Sequence, residues 1–337
     1  MMDSIRLHAN ENWYNPLPEI KEQLFKRLMN LDLQEYPDPD AKELKQNLST
    51  YTGVDEKEII CTNGSDELIK IIYESFSNAG DAIVIHSPTF VEYTLMSELR
   101  GCKLCPVNPK KDLSPDIDEL IKTAKDNRAA ITFICNPNNP TGYIFSEWDL
   151  NRIINEVPGI VVVDEAYSEF SQVSLVGKNY NKDKVIIMRT LSKAFGAAAL
   201  RVGYGIASQQ VIQHMNKAKM PYNLSTIAQE SAVVLLENKD VLEDVVRDIR
   251  HERMRIYGEL SKLQDAGKKI EVFPSYGNYI LIRTPLARNI YNALSQEGYQ
   301  VRIFEHDENL NDCLRFAVTQ KKTNSLVFEV IRKVVSQ

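Results

Sequence analysis

Five stretches of the chain are apolar almost without interruption and end at turn residues: 81–88 (DAIVIHSP), 129–142 (AAITFICNPNNPTG), 159–167 (GIVVVDEAY), 184–190 (KVIIMRT) and 201–207 (RVGYGIA). A strand with one wet face alternates apolar and polar residues. Near-continuous Val/Ile runs therefore predict strands covered on both faces, as in a mainly parallel sheet. Between them, 65–76 (SDELIKIIYESF) and 114–125 (SPDIDELIKTAK) repeat apolar residues at helical spacing. The second opens with Ser114-Pro115, read as an N-cap followed by proline at the first helical position. Alternating strands and helices predict a three-layer α/β/α domain with its active groups at the carboxyl ends of the strands.

The pattern changes from about residue 209. A charged, periodic stretch, 228–263, predicts a long connecting helix. Strand-like YGNYILIR and DCLRFAV then flank the helical LARNIYNALSQEG. The expected organisation is an N-terminal arm and loop (1–30) packing with the small domain, a large α/β domain (31–225) and a smaller α+β domain (226–337). No repeat or low-complexity tract interrupts it.

Composition narrows the function classes. The net charge of −6 is interspersed, without the basic stripe of a nucleic-acid binder. The polar first ten residues and the absence of any long apolar run predict neither a signal peptide nor a membrane span. Five scattered cysteines predict reduced thiols and a cytoplasmic protein. Cys102 and Cys105 form a C-x-x-C, but on a strand those two side chains point to opposite faces, and no second pair completes a zinc site.

The candidate chemistry gathers at strand ends. VVVDEAY puts Asp164 after a buried strand with Tyr167 three residues on; NPNNPTG supplies Asn139. The segment TLSKAFG brings Thr190, Ser192 and Lys193, LRVGY brings Arg201, and NGSDE precedes a helix whose free N–H groups can take an anion. Each feature alone has a plain structural reading as a cap, a turn or a solvated lysine. Together they supply an amine, a buried acid, a phenol, an amide and a phosphate cradle. A lysine attacks an aldehyde only when neutral, and desolvation beside a cation such as Arg201 favours that state. A buried aspartate keeps a pyridine nitrogen protonated, which is the donor set of a pyridoxal phosphate enzyme.

In this order and spacing, NPNNPTG, VVVDEAY and TLSKAFGAAALRVGY resemble the pyridoxal-phosphate enzymes of the aspartate-aminotransferase fold. LHANEN (7–12), EYPDP (35–39), NGSDE and the Ser-Lys-Ala-Phe-Gly run resemble the histidinol-phosphate aminotransferase family, over nearly the whole chain. The resemblance implies that Lys193 binds the cofactor aldehyde and moves the substrate Cα proton, while Asp164 pairs the ring nitrogen. It implies that Tyr167 and Asn139 contact the ring's phenolic oxygen. Phe90 would stack on the ring, and the Ser65 and Asp66 amides, Thr190, Ser192 and Arg201 would surround the phosphate. By the same resemblance Arg315 binds the substrate α-carboxylate and Arg302 a substrate phosphate. Asn12 and Tyr14 belong to the substrate loop. Tyr36 reaches the partner subunit's site, so a homodimer is expected, with 2-oxoglutarate and glutamate as co-substrates.

Plain alternatives stand beside the peripheral members: Arg302 as a surface strand arginine, Tyr36 as loop packing. His8, His86 and Tyr93 are read as scaffold. The chain departs from the family pattern where Trp13 replaces a proline, Asn15 a glycine and Ala198 a glycine, changes that bear on substrate choice more than on reaction type. Threonine-phosphate decarboxylation and aromatic or branched-chain transamination are the competing activities on the same cofactor. A non-catalytic regulator is disfavoured, because Lys193, Asp164 and Arg315 are all present and no basic helix-turn-helix stretch is expected.

Overall fold

The computed structural model describes residues 4–14, 18–305 and 307–337. Its strands are β1 (Ile5–Arg6), β2 (Ile59–Asn63), β3 (Ala82–His86), β4 (Lys103–Val107), β5 (Ile131–Cys135), β6 (Ile160–Asp164) and β7 (Val185–Thr190), then β8 (Val202–Ile206), β9 (Glu271–Val272), β10 (Tyr279–Arg283), β11 (Tyr299–Gln300), β12 (Arg302–Ile303) and β13 (Cys313–Ala317). The helices are α1 (Pro18–Met29), α2 (Lys42–Thr52), α3 (Gly64–Phe76), α4 (Glu92–Leu99), α5 (Ile117–Asp126) and α6 (Glu147–Glu156), then α7 (Ser168–Ser171), α8 (Gln209–Met215), α9 (Thr226–Glu237), α10 (Lys239–Asp265), α11 (Ala287–Gln296) and α12 (Lys321–Val335).

All five apolar runs enter one seven-stranded sheet, ordered β2-β8-β7-β6-β5-β3-β4. Successive residues of β6 and β7 feed two different cores. Val161, Val163, Val185 and Ile187 meet Leu120 of α5 and Ile153 of α6; Val162, Ile186 and Met188 meet Leu68 and Ile72 of α3 and Tyr93 of α4. A strand buried on both faces has no position left for a polar residue, which is why these runs do not alternate. Strands β3 to β7 run parallel, so β5, β6 and β7 end at one edge. Strand β8 is antiparallel to β7 and β2, and its beginning therefore reaches that edge, with Gly203 opposite Thr190 and Thr62.

A four-stranded antiparallel sheet, β12-β13-β10-β9, holds the C-terminal residues. The arm joins it: β1 pairs with β11, and the Leu7 carbonyl accepts the Ala317 N–H at 2.8 Å. Further along, α1 packs on α9, and its Arg27 pairs with Glu43 and Glu230.

Two local expectations are corrected. Helix α5 is capped by Asp116, whose carboxylate accepts the Glu119 N–H, while the Ser114 hydroxyl bonds Asp112 at 2.6 Å. Asp116 wins because its position, two residues after Ser114, leaves Ile117 to open the helix with its apolar side inward. The periodic stretch 228–263 is two helices, not one. Asn238 ends α9 by donating its amide to the Val234 carbonyl at 2.8 Å, and α9 is buried on most sides. Among the described residues no helix is long and apolar enough to cross a membrane.

Candidate active site

At the common edge of β5, β6 and β7 lies a cavity of about 340 Å³. Of the residues expected from the sequence, Ser65, Asp66, Phe90, Asn139, Asp164, Tyr167, Thr190, Ser192, Lys193, Arg201 and Arg315 line it. Asn12, Tyr14, Tyr36 and Arg302 do not.

One end is built for an anion. Helix α3 starts at Gly64, in a left-handed conformation (φ +77°), and a Cβ there would sit 2.4 Å from the Arg201 guanidinium. A Cβ on Gly203 would sit 2.5 Å from both the Gly64 carbonyl carbon and the Ser65 nitrogen. These two glycines let the first turn of α3 lie directly on β8, with Arg201 folded beside it. Arg201 bonds the Asp66 carboxylate at 2.8 Å, and the Thr190 hydroxyl meets the Ser192 hydroxyl at 2.9 Å. Free N–H groups of a helix start, two hydroxyls and a guanidinium are the donor set that holds a phosphate.

Lys193 donates to the Ala9 carbonyl at 3.0 Å, with its nitrogen 5.8 Å from the centre of the Tyr167 ring. Burial, and then the charge of Arg315, bring its ammonium down to about 8, within reach of the neutral amine. Arg201, the cation expected from the sequence, acts in the same direction, but Arg315, brought in from the other sheet, is the larger charge effect.

Asp164 is 4% exposed. It accepts the Ala166 N–H at 3.0 Å and the Tyr93 hydroxyl at 2.5 Å, and no cation pairs with it among the described residues. Burial pushes its carboxyl up to about 6, against the pull of those two donors. The neighbouring Glu165 is satisfied differently, in a buried ion pair with Arg189 at 2.8 Å that belongs to the scaffold. His86 is likewise scaffold: buried, held down to about 3 by desolvation, and accepting the Cys135 N–H.

Arg315 is buried, with one guanidinium nitrogen on the His8 carbonyl at 2.5 Å and another on the Asn139 amide oxygen. Among the described residues its Nε has no partner and its acceptors are neutral, so an arriving carboxylate makes the stronger, charge-assisted bond.

Two contributors escaped the sequence reading. Asn10, buried with φ +54°, donates to the Tyr167 hydroxyl at 3.0 Å. Its only sequence signal was membership of LHANEN. Tyr93 had a signal too, since a phenol in an apolar helix must find a partner when buried, but nothing local indicated Asp164.

The residues outside the cavity have definite places. Asn12 donates to the Ala194 carbonyl at 2.9 Å and accepts the Tyr14 N–H at 3.0 Å, bracing the lysine loop from behind. Tyr14 packs on the core, its phenol raised by burial and then by Asp248 and Glu252. The Trp13 indole donates to the Arg6 carbonyl at 2.9 Å; Asn15 lies outside the described residues. Ala198 lines the cavity. Tyr36 is 80% exposed and stacks on Tyr222 at 4.6 Å. Arg302 lies opposite Arg315 in register, and lines a separate concavity of about 600 Å³ with Ser87, Thr89 and Glu308.

Comparison with known proteins agrees with this geometry. The family model for aminotransferase class I and II matches residues 2–331. A histidinol-phosphate aminotransferase of Thermoanaerobacter pseudethanolicus is 36% identical over 98% of this chain and 93% of its own length. One from Aquifex aeolicus is 33% identical over the same shares. The crystal structure of histidinol-phosphate aminotransferase from Sinorhizobium meliloti in complex with pyridoxal-5'-phosphate superposes with a TM-score of 0.89, at 25% identity, covering 98% of this chain and 91% of that one. With the lysine, the acid and the anion cradle on one sheet edge, and a match along nearly its full length, the chain belongs to the class I and II aminotransferases.

Proposed function

We propose that the protein transfers an amino group between L-histidinol phosphate and 2-oxoglutarate, producing glutamate and the corresponding ketone, with pyridoxal 5'-phosphate as cofactor. The observation that carries this reading is the similarity to histidinol-phosphate aminotransferases at both full lengths. Two features of the cavity fit the cofactor: a glycine-lined cradle that a Cβ would fill, and a buried carboxylate with no cationic partner among the described residues. When bound, the cofactor supplies an aldehyde that condenses with amines and a ring that withdraws electrons from the substrate Cα.

The roles proposed for this chain's own residues follow from their chemistry. The Ser65 and Asp66 amides, Thr190, Ser192 and Arg201 would hold the phosphate. Asp164 would face the ring nitrogen, Tyr167 and Asn139 the phenolic oxygen, and Phe90 the ring face. Lys193 would hold the aldehyde until the substrate's own amino group displaces it, and the neutral amine so released would carry the proton of the substrate Cα. Arg315 takes the carboxylate of glutamate, and Arg302, Asn12 and Tyr14 serve the rest of the substrate.

The division into an arm (1–30), a large domain (31–225) and a small domain (226–337) belongs to the same proposal, as do a cytoplasmic location and a homodimer. Exposed Tyr36 and Tyr222 support the dimer, since large stacked aromatics are characteristic of interface cores. The test is the visible absorption of the purified protein. L-histidinol phosphate should abolish the bound cofactor's band and 2-oxoglutarate should restore it. Conversion by aromatic amino acids alone overturns the substrate, and carbon dioxide release from threonine phosphate gives the activity to a decarboxylase.

A further inference from the structure

Asp164 is buried at the floor of the cavity's strand edge, where β6 ends. The face of the sheet beneath it is packed with Ile85, Phe133, Val162 and Met188. The charges of Asp66 and Glu165 are of its own sign, and each pushes it toward the neutral acid. A neutral acid cannot neutralise a cationic ring nitrogen. Among the described residues two donors oppose this: the Ala166 N–H, fixed by the backbone, and the Tyr93 hydroxyl at 2.5 Å.

Tyr93 is unusually well fixed for that task. It is fully buried, stacked on Phe133 with ring centres 4.5 Å apart, and its ring meets Phe90 edge-on at 5.7 Å. Its backbone carbonyl is held by the Tyr73 hydroxyl at 2.6 Å. Burial and the adjacent Asp164 keep the phenol protonated, so it can only act as the donor in this pair. Phe90 lies two residues before α4, and Tyr93 is the second residue of that helix. One short segment thus presents one aromatic to the cavity and another to the acid beneath it.

We propose that Tyr93 is a positioning residue: its hydroxyl holds Asp164 as a carboxylate, oriented for a protonated ring nitrogen. This rests on the pyridoxal phosphate reading above. A hydrogen bond to a charged group is worth enough to change an affinity by roughly ten- to a hundredfold. The Tyr93→Phe substitution keeps both ring contacts and removes only the hydroxyl.

The experiment titrates the apoprotein and its Tyr93→Phe variant with pyridoxal 5'-phosphate and with an analogue whose ring nitrogen is replaced by carbon. Thermal unfolding of both apoproteins checks the fold. The variant should bind pyridoxal phosphate about ten- to a hundredfold more weakly and bind the carbon analogue as the parent does. In an Asp164→Asn background, the same Tyr93 substitution should change pyridoxal phosphate affinity by less than about twofold, because coupling disappears when one partner is gone. Equal affinity of parent and variant for pyridoxal phosphate overturns the proposal. So does an equal loss for both ligands, which makes Tyr93 a packing residue. A parent protein that binds neither ligand overturns the cofactor reading itself.

Discussion

Gly203→Ala tests whether the contact between α3 and β8 builds the phosphate cradle. The added methyl would sit 2.5 Å from the Gly64 carbonyl carbon, 2.5 Å from the Ser65 nitrogen and 2.8 Å from the Gly64 oxygen. All three are backbone atoms, so no side chain can swing aside, and reaching an ordinary contact near 3.5–4.0 Å moves the helix start by roughly 1 Å. Overpacking of this kind destabilises by about 1–3 kcal/mol. The functional effect is more specific. The displaced atoms carry the amides proposed to bind phosphate, and losing one such charged hydrogen bond weakens binding by about ten- to a hundredfold. Gly205→Ala is the control, on the same strand and under the same helix. Its methyl would meet Ile60 and Leu68 side-chain atoms at 3.1 Å, which can yield. Pyridoxal phosphate titration and urea unfolding of both variants separate the outcomes. If Gly203→Ala binds the cofactor as tightly as Gly205→Ala does, the cradle argument is refuted.

Lys193→Arg, which cannot become neutral, should abolish the cofactor's covalent visible band and lower turnover by at least about 10²–10⁴-fold. In the parent apoprotein, the rate of cofactor capture should rise with pH through about 8, because the folded-state ammonium loses its proton there. A capture rate that stays flat from pH 7 to about 9 contradicts that assignment. Arg315→Lys keeps the charge but loses the planar fork, and KM for glutamate should rise about tenfold or more with a smaller change in kcat. Glu165→Leu leaves the Arg189 guanidinium to the longer contact with Glu169 at 3.9 Å and the Ser174 hydroxyl at 2.7 Å, and should destabilise by up to about 3–5 kcal/mol in denaturant unfolding. Adding Arg189→Met should recover part of that loss; no recovery would mean that the pair is not the source.

The large sheet was legible because burial on both faces writes itself into composition: β5, β6 and β7 carry no polar alternation, and their ends locate Asp164, Thr190 and Lys193. Arg201 was legible for a related reason, since LRVGY opens a strand whose reversed direction delivers its first residue to the same edge. What local pattern could not show was pairing across the chain. Tyr93 with Asp164, and Asn10 with Tyr167, are 71 and 157 residues apart, and the sequence near each member looks like ordinary core or loop. The cap of α5 was misplaced because serine and aspartate are about equally good caps. Only the phase of the apolar face separates them. The break at Asn238 was hidden because charge and period continue smoothly across it.

The arm has a consequence for synthesis. Residues 5 and 6 pair with 299 and 300, and residue 7 with 317, while the carbonyls of His8 and Ala9 hold Arg315 and Lys193. The arm leaves the ribosome long before these partners do and is thus among the last segments to find its place. At roughly 5–20 residues per second, it waits about 15–60 s for its partners. Throughout that interval the lysine loop can fold on the large sheet, yet its amine lacks both the arm's carbonyl and the neighbouring Arg315. A nascent chain therefore has no finished site for the cofactor until β13 has emerged.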